Sequence, residues 1–295
     1  MFLPRKILEK KLLKMLSEDL GQGDITTELV VPSGTWAIGE VIAKEEGVAA
    51  GIEEATILLQ CLGLKVKALA NDGEKIQPKQ TLLKIHGDAK TLLSVERTLL
   101  NLLSRMSGIA TATRKLAETI SKAKLKTRIA CTRKTAPGLL YFDKKAVLIG
   151  GGDTHRLHLD DMVLIKDNHL AICGNIEETI KKVRKNVSCS KKIEVEVTNP
   201  NDAVAAAKSG ADIIMLDNFS PEEIEKTCKL LKKAKLFGKA LIEASGGITA
   251  ENILKFASTG VDLISLGEIT HSSKALDISL EIKKAPKKAR DLNRL

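Results

Sequence analysis

The sequence predicts an α/β protein in two parts, a separate α+β domain followed by an array of parallel βαβ units from about Thr127 onward. Two observations carry the second part. Short apolar runs at 127–131, 162–165, 193–197, 213–216, 240–243 and 263–266 alternate with helix-like stretches at 139–149, 176–185, 201–208, 221–233 and 250–258. That is the grammar of buried parallel strands joined by helical crossovers. Asn199-Pro200 and Ser220-Pro221 then place a capping residue before a proline at the first helical position. A third observation sets the first part aside: residues before about 107 lack this alternation.

In that first part, the start of the chain, residues 1–16, reads as a first surface helix with Ile7, Leu8, Leu12, Leu13 and Leu16 turned inward. A transit peptide is the competing reading of this basic, amphipathic start. Glu9 and the lack of serine before Ser17 oppose it. Residues 21–24 form a turn cluster, 36–50 alternate like strands, and 53–62 and 92–107 are helical in pattern. Residues 72–87 read as a hairpin unit, but no lysine is presented in an acceptor turn as a prosthetic-group carrier would need. Gly150-Gly151-Gly152 stops the helix before it. The basic tail, 281–295, reads as a solvated end. The expected domains are 1–110, joined by the tail 275–295, and 111–274.

Composition narrows the function classes. The 295 residues include 47 Lys+Arg against 37 Asp+Glu, a formal charge of +10, with 43% hydrophobic and 28% charged residues. These values exclude a disordered chain. Aromatic residues make up only 2%, so the stacking platforms of single-strand nucleic-acid binders are hard to build. A basic nucleic-acid binder, the competing non-enzymatic class, needs a surface stripe of charge rather than polar groups at strand ends. The five cysteines are scattered with no CxxC pair, which argues against a disulfide framework and for a reducing cytoplasm. No stretch approaches the 18 or so apolar residues of a membrane span.

Polar residues fall where each strand ends, the face that carries chemistry in parallel α/β barrels. The strands are followed in turn by Thr132-Arg133-Lys134, Lys166-Asp167-Asn168-His169, Glu196 at its strand's own end, Asp217-Asn218, Ser245-Gly246-Gly247 and Gly267-Glu268. Six strands in a row predict one shared site. Arg133, Lys134, His155, Arg156 and Lys166 suit carboxylate or phosphate. The late glycine loops suit a phosphate. Glu196 and Asp217 suit either a divalent cation or ribose hydroxyls, magnesium rather than zinc. A zinc cluster of His155, His158, Asp160, Asp161 and His169 is disfavoured, because the spacing is not that of a helical HExxH. The site expected is one for a phosphorylated, strongly anionic substrate.

The motifs GQGDITT (21–27), ERTLLNLLSRMSGIAT (96–111), TRKTAPG (132–138), GGGDTHR (150–156), VLIKDNH (163–169), IEVEV (193–197), MLDNF (215–219), EASGGI (243–248) and THS (270–272) occur in order. Together they resemble the quinolinate phosphoribosyltransferases, the carboxylating nicotinate-nucleotide pyrophosphorylases. The resemblance implies an N-terminal α/β sandwich followed by an open, incomplete α/β barrel. It implies transfer of phosphoribose from phosphoribosyl pyrophosphate to quinolinate with Mg²⁺ and loss of CO₂, in NAD synthesis. It also implies a homodimer or higher homo-oligomer in which Arg97 reaches the site of the partner subunit, with no nucleic acid or membrane as partner. Lys134, Lys166, Glu196 and Asp217 are the implied catalytic set, the last two as metal ligands. Arg133, His155, Arg156, Ser245, Gly246, Gly247, Gly267 and His271 complete the implied substrate contacts. Three positions depart from the family pattern: Cys131 where an acidic residue is common, and His158 and Glu268 where small residues are. A diverged branch associated with molybdenum transport is the alternative that the resemblance leaves open.

Overall fold

Helical periodicity fixes the first element. In α1 (Arg5–Leu20) Leu8, Leu12 and Leu16 recur every four residues and are buried, whereas Ile7 and Leu13 are 44% and 39% exposed. The apolar stripe is therefore one residue wide, narrower than the sequence implies, because α1 covers its neighbours along a single line of its surface. The computed structural model describes residues 3–285.

The chain forms two units. The first comprises Met1–Ala112, Leu148–Gly150 and Ser273–Leu295. After α1 come α2 (Ile25–Val30), β1 (Trp36–Ala43), β2 (Gly47–Val48), α3 (Ile52–Cys61), β3 (Lys65–Ala68), β4 (Lys75–Ile76), β5 (Thr81–Asp88) and the start of α4 (Ala89–Lys122). Asp24 of the GQGDITT motif caps α2 by accepting the Thr27 amide at 2.9 Å. Its other oxygen accepts the Ser94 hydroxyl. Every second residue of β1 is buried, as a strand with one face on a core requires. Residues 72–87 are not a hairpin: β4 pairs with β2, and β5 lies between β1 and β3. The tail is likewise more than a solvated end. Its first part is a strand, Ile278–Lys284, the last of the chain (β12), which pairs antiparallel along β1. Residues 286–295 of the tail lie outside the described residues.

The second unit comprises Thr113–Val147 and Gly151–Ser272. Its strands are β6 (Arg128–Cys131), β7 (Val163–Ile165), β8 (Ile193–Val197), β9 (Ile213–Asp217), β10 (Leu241–Ser245) and β11 (Leu263–Leu266). Between them run α5 (Leu140–Gly150), α6 (Asp167–Cys173), α7 (Ile176–Asn186), α8 (Pro200–Lys208), α9 (Pro221–Lys233) and α10 (Ile253–Ala257), with α11 (Glu268–His271) after the last strand. All ladders are parallel, in the order β6-β11-β10-β9-β8-β7. Consecutive strands β6 and β7 stand at opposite edges and do not pair, so the barrel stays open.

Local chemistry explains these boundaries. Asn199 and Ser220 accept the amides of Asp202 and Glu223, and Pro occupies the first turn of α8 and of α9. Gly151, at φ 92°, ends α5 in a conformation only glycine adopts cheaply. At the strand starts one device is used twice: Asp212 accepts the Ile193 amide at 2.7 Å, and Asp262 accepts the Ile242 amide at 2.8 Å. Each carboxylate ties the foot of one strand to the next, so register is set before the functional ends are reached. The helix α6 begins where the sequence reading has a loop; His169 Nδ1 accepts the Lys166 amide at 2.9 Å and nucleates it.

The packing of α1 yields a test. Leu12→Ala removes a fully buried side chain and is expected to cost about 2–5 kcal/mol of unfolding free energy. Leu13→Ala, on the exposed side of the same helix, is expected to cost no more than about 0.5 kcal/mol. Urea titration of both variants checks the difference.

Candidate active site

The six parallel strands of the second unit end around one cavity of about 730 Å³. Twelve of the thirteen residues expected from sequence line it. Arg133 and Lys134 follow β6, Lys166 follows β7, Glu196 is on β8 and Asp217 ends β9. Ser245, Gly246 and Gly247 come from the end of β10, and Gly267 and His271 from beyond β11. His155 and Arg156 enter from the segment between α5 and β7. The thirteenth, Arg97, lies on α4 in the first unit and is not a lining residue.

Strand alternation orders the floor in layers. Glu194 and Glu196 share one face of β8, and Glu243 and Ser245 share one face of β10. Glu196 is at the mouth, where its Oε1 accepts Lys166 Nζ at 2.8 Å. Glu194 and Glu243 are one layer deeper and wholly buried. Both turn to a single partner: His155 Nε2 lies 3.2 Å from a carboxylate oxygen of each. Burial pulls the imidazole toward the neutral form, but the two carboxylates outweigh it and push its pKa up to about 10. His155 is thus an imidazolium whose Nε2 is already committed. Burial pushes the Glu194 carboxyl up, against the pull of His155.

Arg156 is only 9% exposed. Burial, and then the charge of Arg133, weaken its hold on its proton, though a guanidinium stays charged in proteins. Two cations face one cavity at close quarters, an arrangement that an anion between them relieves.

The far wall is backbone. A Cβ on Gly246, at φ 92°, would stand 2.1 Å from Asn218 Oδ1. Asn218 itself holds φ 59° and donates from Nδ2 to Asp217 Oδ2 at 2.9 Å. A Cβ on Gly267 would meet the His271 ring at 3.0 Å and the Lys134 stem at 3.1 Å. Thr270 Oγ1 donates to the Lys134 carbonyl at 2.8 Å, tying the last loop to the first. Glycine here lets side chains from separate strands close together and leaves loop N–H groups uncovered, chemistry that suits an anion.

Residues 24–107 match the family described as quinolinate phosphoribosyl transferase, N-terminal domain, and residues 109–281 its C-terminal domain. The chain belongs to the quinolinate phosphoribosyltransferase family. Among curated relatives, the probable nicotinate-nucleotide pyrophosphorylase (carboxylating) of Methanothermobacter thermautotrophicus is 48% identical over 270 residues, covering 92% of this chain and 97% of that one. The rat nicotinate-nucleotide pyrophosphorylase (carboxylating) is 40% identical over 240 residues, covering 81% and 80%. Of solved structures, the nicotinate-nucleotide pyrophosphorylase of Francisella tularensis is 36% identical with a TM-score of 0.86, covering 96% and 98%. NadC from Streptococcus pyogenes is 33% identical with a TM-score of 0.89, covering 97% and 100%.

Sequence reasoning missed Glu194 and Glu243, although two carboxylates in the apolar run IEVEV, and one beside Ser245, are a period-2 signal. It also missed Lys144, which lies inside an ordinary helix pattern and gives no signal. Of the residues that depart from the family pattern, Cys131 lines the cavity and approaches the Thr154 carbonyl at 3.5 Å, burial pushing its thiol pKa up. Glu268 lines the rim, and His158 is exposed with its amide on Asp161. The histidines and aspartates weighed as a zinc cluster do not converge. His155 turns to the two glutamates, His158 groups with Asp160 and Asp161 at the surface, and His169 caps α6.

Two outcomes follow from this geometry. Gly246→Ala forces a methyl into Asn218 and a strained φ, and is expected to lower both thermal stability and turnover, the latter by about tenfold or more. Calorimetry and steady-state kinetics check it. The His155 ion cluster contributes stability that is fully present below its ordinary pKa of 6.5 and lost as pH rises through about 10. The unfolding free energy of the parent protein minus that of His155→Gln should therefore shrink over that range; a flat difference would mean a neutral imidazole.

Proposed function

We propose that this chain transfers phosphoribose from phosphoribosyl pyrophosphate to quinolinate, with release of pyrophosphate and CO₂, giving nicotinate mononucleotide for de novo NAD synthesis. The observation that carries the reading is the single cavity in which Arg133, Lys134, His155, Arg156 and Lys166 face Glu196, Asp217 and glycine loops. Family membership supplies the reaction. A cytoplasmic setting, where thiols stay reduced, accords with the five free cysteines.

The chemistry asks for placement and electrostatics. Quinolinate brings two carboxylates; the guanidiniums of Arg133 and Arg156 bind such groups through paired N–H donors, and Lys134 and Lys166 add point charges. The sugar phosphate lies on the loops of Ser245, Gly246, Gly247, Gly267 and His271. As the bond from ribose C1 to pyrophosphate lengthens, positive charge grows on the ribose. The carboxylates of Glu196 and Asp217 stabilise it. The pyridine nitrogen then bonds to C1 as the bond to pyrophosphate breaks, and becomes cationic. CO₂ leaves C2, the adjacent ring cation stabilises the electron pair left there, and a proton from water adds to it to give nicotinate mononucleotide.

The donor set also fits Mg²⁺: two carboxylates at the ends of adjacent strands β8 and β9, beside a phosphate-bearing substrate, are the hard oxygen ligands it takes. Glu196 and Asp217 would hold the ion, whose contribution is to neutralise the leaving pyrophosphate. The Lys166 ammonium on Glu196 Oε1 holds that carboxylate at the mouth.

We further propose a homodimer or higher homo-oligomer in which Arg97 of one subunit serves the cavity of its partner. Arg97→Ala and Arg133→Ala should each lose most of their activity alone, about tenfold or more. Mixed subunits should recover activity at about one site in four, since a random hybrid dimer keeps one intact site. No recovery on mixing would place Arg97 and Arg133 in the same subunit's site.

The decisive test of the activity is incubation with Mg²⁺, phosphoribosyl pyrophosphate and quinolinate labelled in its ring carboxyls, with label release as readout. Arg133→Ala is expected to lower kcat/KM by roughly one to two powers of ten, the worth of a charge-assisted hydrogen bond. Turnover of another base without label release would overturn the carboxylating reading.

A further inference from the structure

Lys144 is wholly buried on α5, close to a cavity wall already crowded with cations, and the mechanism above gives it no part. Burying an ammonium is costly unless its donors are satisfied. Here the partners are two backbone carbonyls and the Cys131 thiol. Nζ donates to the Thr154 carbonyl and, at 3.2 Å, to the Arg156 carbonyl. These two acceptors flank His155, whose own backbone stands at φ 51°, a left-handed conformation that a residue with a Cβ holds only when its surroundings impose it.

The other constraints on this turn come from different directions. Asp153 Oδ1 accepts the His155 amide at 2.7 Å, and its Oδ2 pairs with Arg128 at 3.1 Å. The His155 ring is fixed on Glu194 and Glu243. None of these reaches Arg156. Its carbonyl is held by Lys144, and its side chain continues into the cavity. A leucine would fill the space of the Lys144 stem and continue α5 equally well; only the turn has use for a head with several donors. Carbonyl partners also hold the ammonium without adding a carboxylate next to an arginine meant for an anion.

We infer that Lys144 is a positioning residue for the anion pocket: by holding the carbonyls of Thr154 and Arg156 it fixes the left-handed turn that delivers His155 and Arg156 to the cavity. The inference deepens the proposed function and rests on it for its kinetic arm alone.

The test uses the intact protein with Lys144→Met, which keeps the stem and removes the donors, and Lys144→Arg, which keeps donors. By hydrogen exchange, the His155 amide in Lys144→Met is expected to exchange faster by about tenfold or more while amides of β8 to β10 keep their protection. In kinetics, the KM for quinolinate should rise by about tenfold with the KM for phosphoribosyl pyrophosphate nearly unchanged. In the KM for quinolinate, the double variant Lys144→Met with Arg156→Ala should be little worse than Arg156→Ala alone, because Lys144 acts there through the placement of the Arg156 side chain. Lys144→Arg should recover part of both losses. Unchanged exchange in the turn, or kinetic losses that multiply independently, would overturn the inference. Should Lys144→Met not fold, Lys144→Leu, which also lacks donors, is read by the same outcomes. If the parent protein fails to turn over quinolinate, the functional reading falls, and the exchange arm still decides the role of Lys144.

Discussion

Two glutamates with no solvent exposure, facing one another across the interior of an open barrel, are tolerable only because one imidazole closes on both. Glu194 and Glu243 sit two strands apart, on β8 and β10 with β9 between. As bare carboxylates in a low-dielectric interior they would repel and disrupt the layer they occupy. With His155 protonated between them the cluster carries one cation against two acids, and the strands on either side of β9 are tied through it. The same closure anchors the ring of His155, in the turn that also carries Arg156, whose carbonyl Lys144 holds from the other side.

The sheet makes this possible. Parallel register places the ends of all six strands at one rim, and Asp212 and Asp262 secure that register from the opposite end. Residues two apart on a strand then belong to successive layers of the same face. Glu194 lies below Glu196 and Glu243 below Ser245, so each of these two strands delivers a buried group and a group nearer the rim from one short motif. The glycine loops complete the rim. Gly246 and Gly267 yield space to Asn218, His271 and Lys134, so the loop after β10 closes on that after β9, and the loop after β11 on that after β6, through contacts that a methyl would block.

Much of this was legible in the sequence. The alternation after Thr127, the Asn199-Pro200 and Ser220-Pro221 helix starts and the polar residue after each strand were enough to predict parallel strands sharing one site. These signals are local: period, capping chemistry and position relative to a strand's end. What stayed hidden depends on distance in space. Lys144 reads as one of two adjacent lysines in an amphipathic helix, and only the fold reveals that the Thr154 and Arg156 carbonyls wait beside it. The β4 and β5 segments looked like a hairpin because they are adjacent and strand-like, yet each finds its partner elsewhere. β12 was obscured by its lysines, which suit an edge strand half open to water as well as they suit a loose tail.

The overall charge of +10 invites the idea that the cavity is a basin of positive charge, and the lining residues correct it. Arg133, Lys134, Arg156 and Lys166 are matched by five carboxylates, Asp167, Glu196, Asp217, Glu243 and Glu268, one of which the His155 imidazolium offsets. The cavity is close to balanced. Three of the four Arg and Lys cations belong to the β6 loop and the 153–156 turn, and the fourth, Lys166, pairs with Glu196. None of the lining residues is Phe, Trp or Tyr; Leu164, Met215, Ile248 and Leu266 supply the apolar surface. Aliphatic walls accept many shapes, so a flat ring bound there would be oriented by the groups it carries rather than by stacking. A turn that aims Arg156 would then have to be held from several sides to provide that orientation.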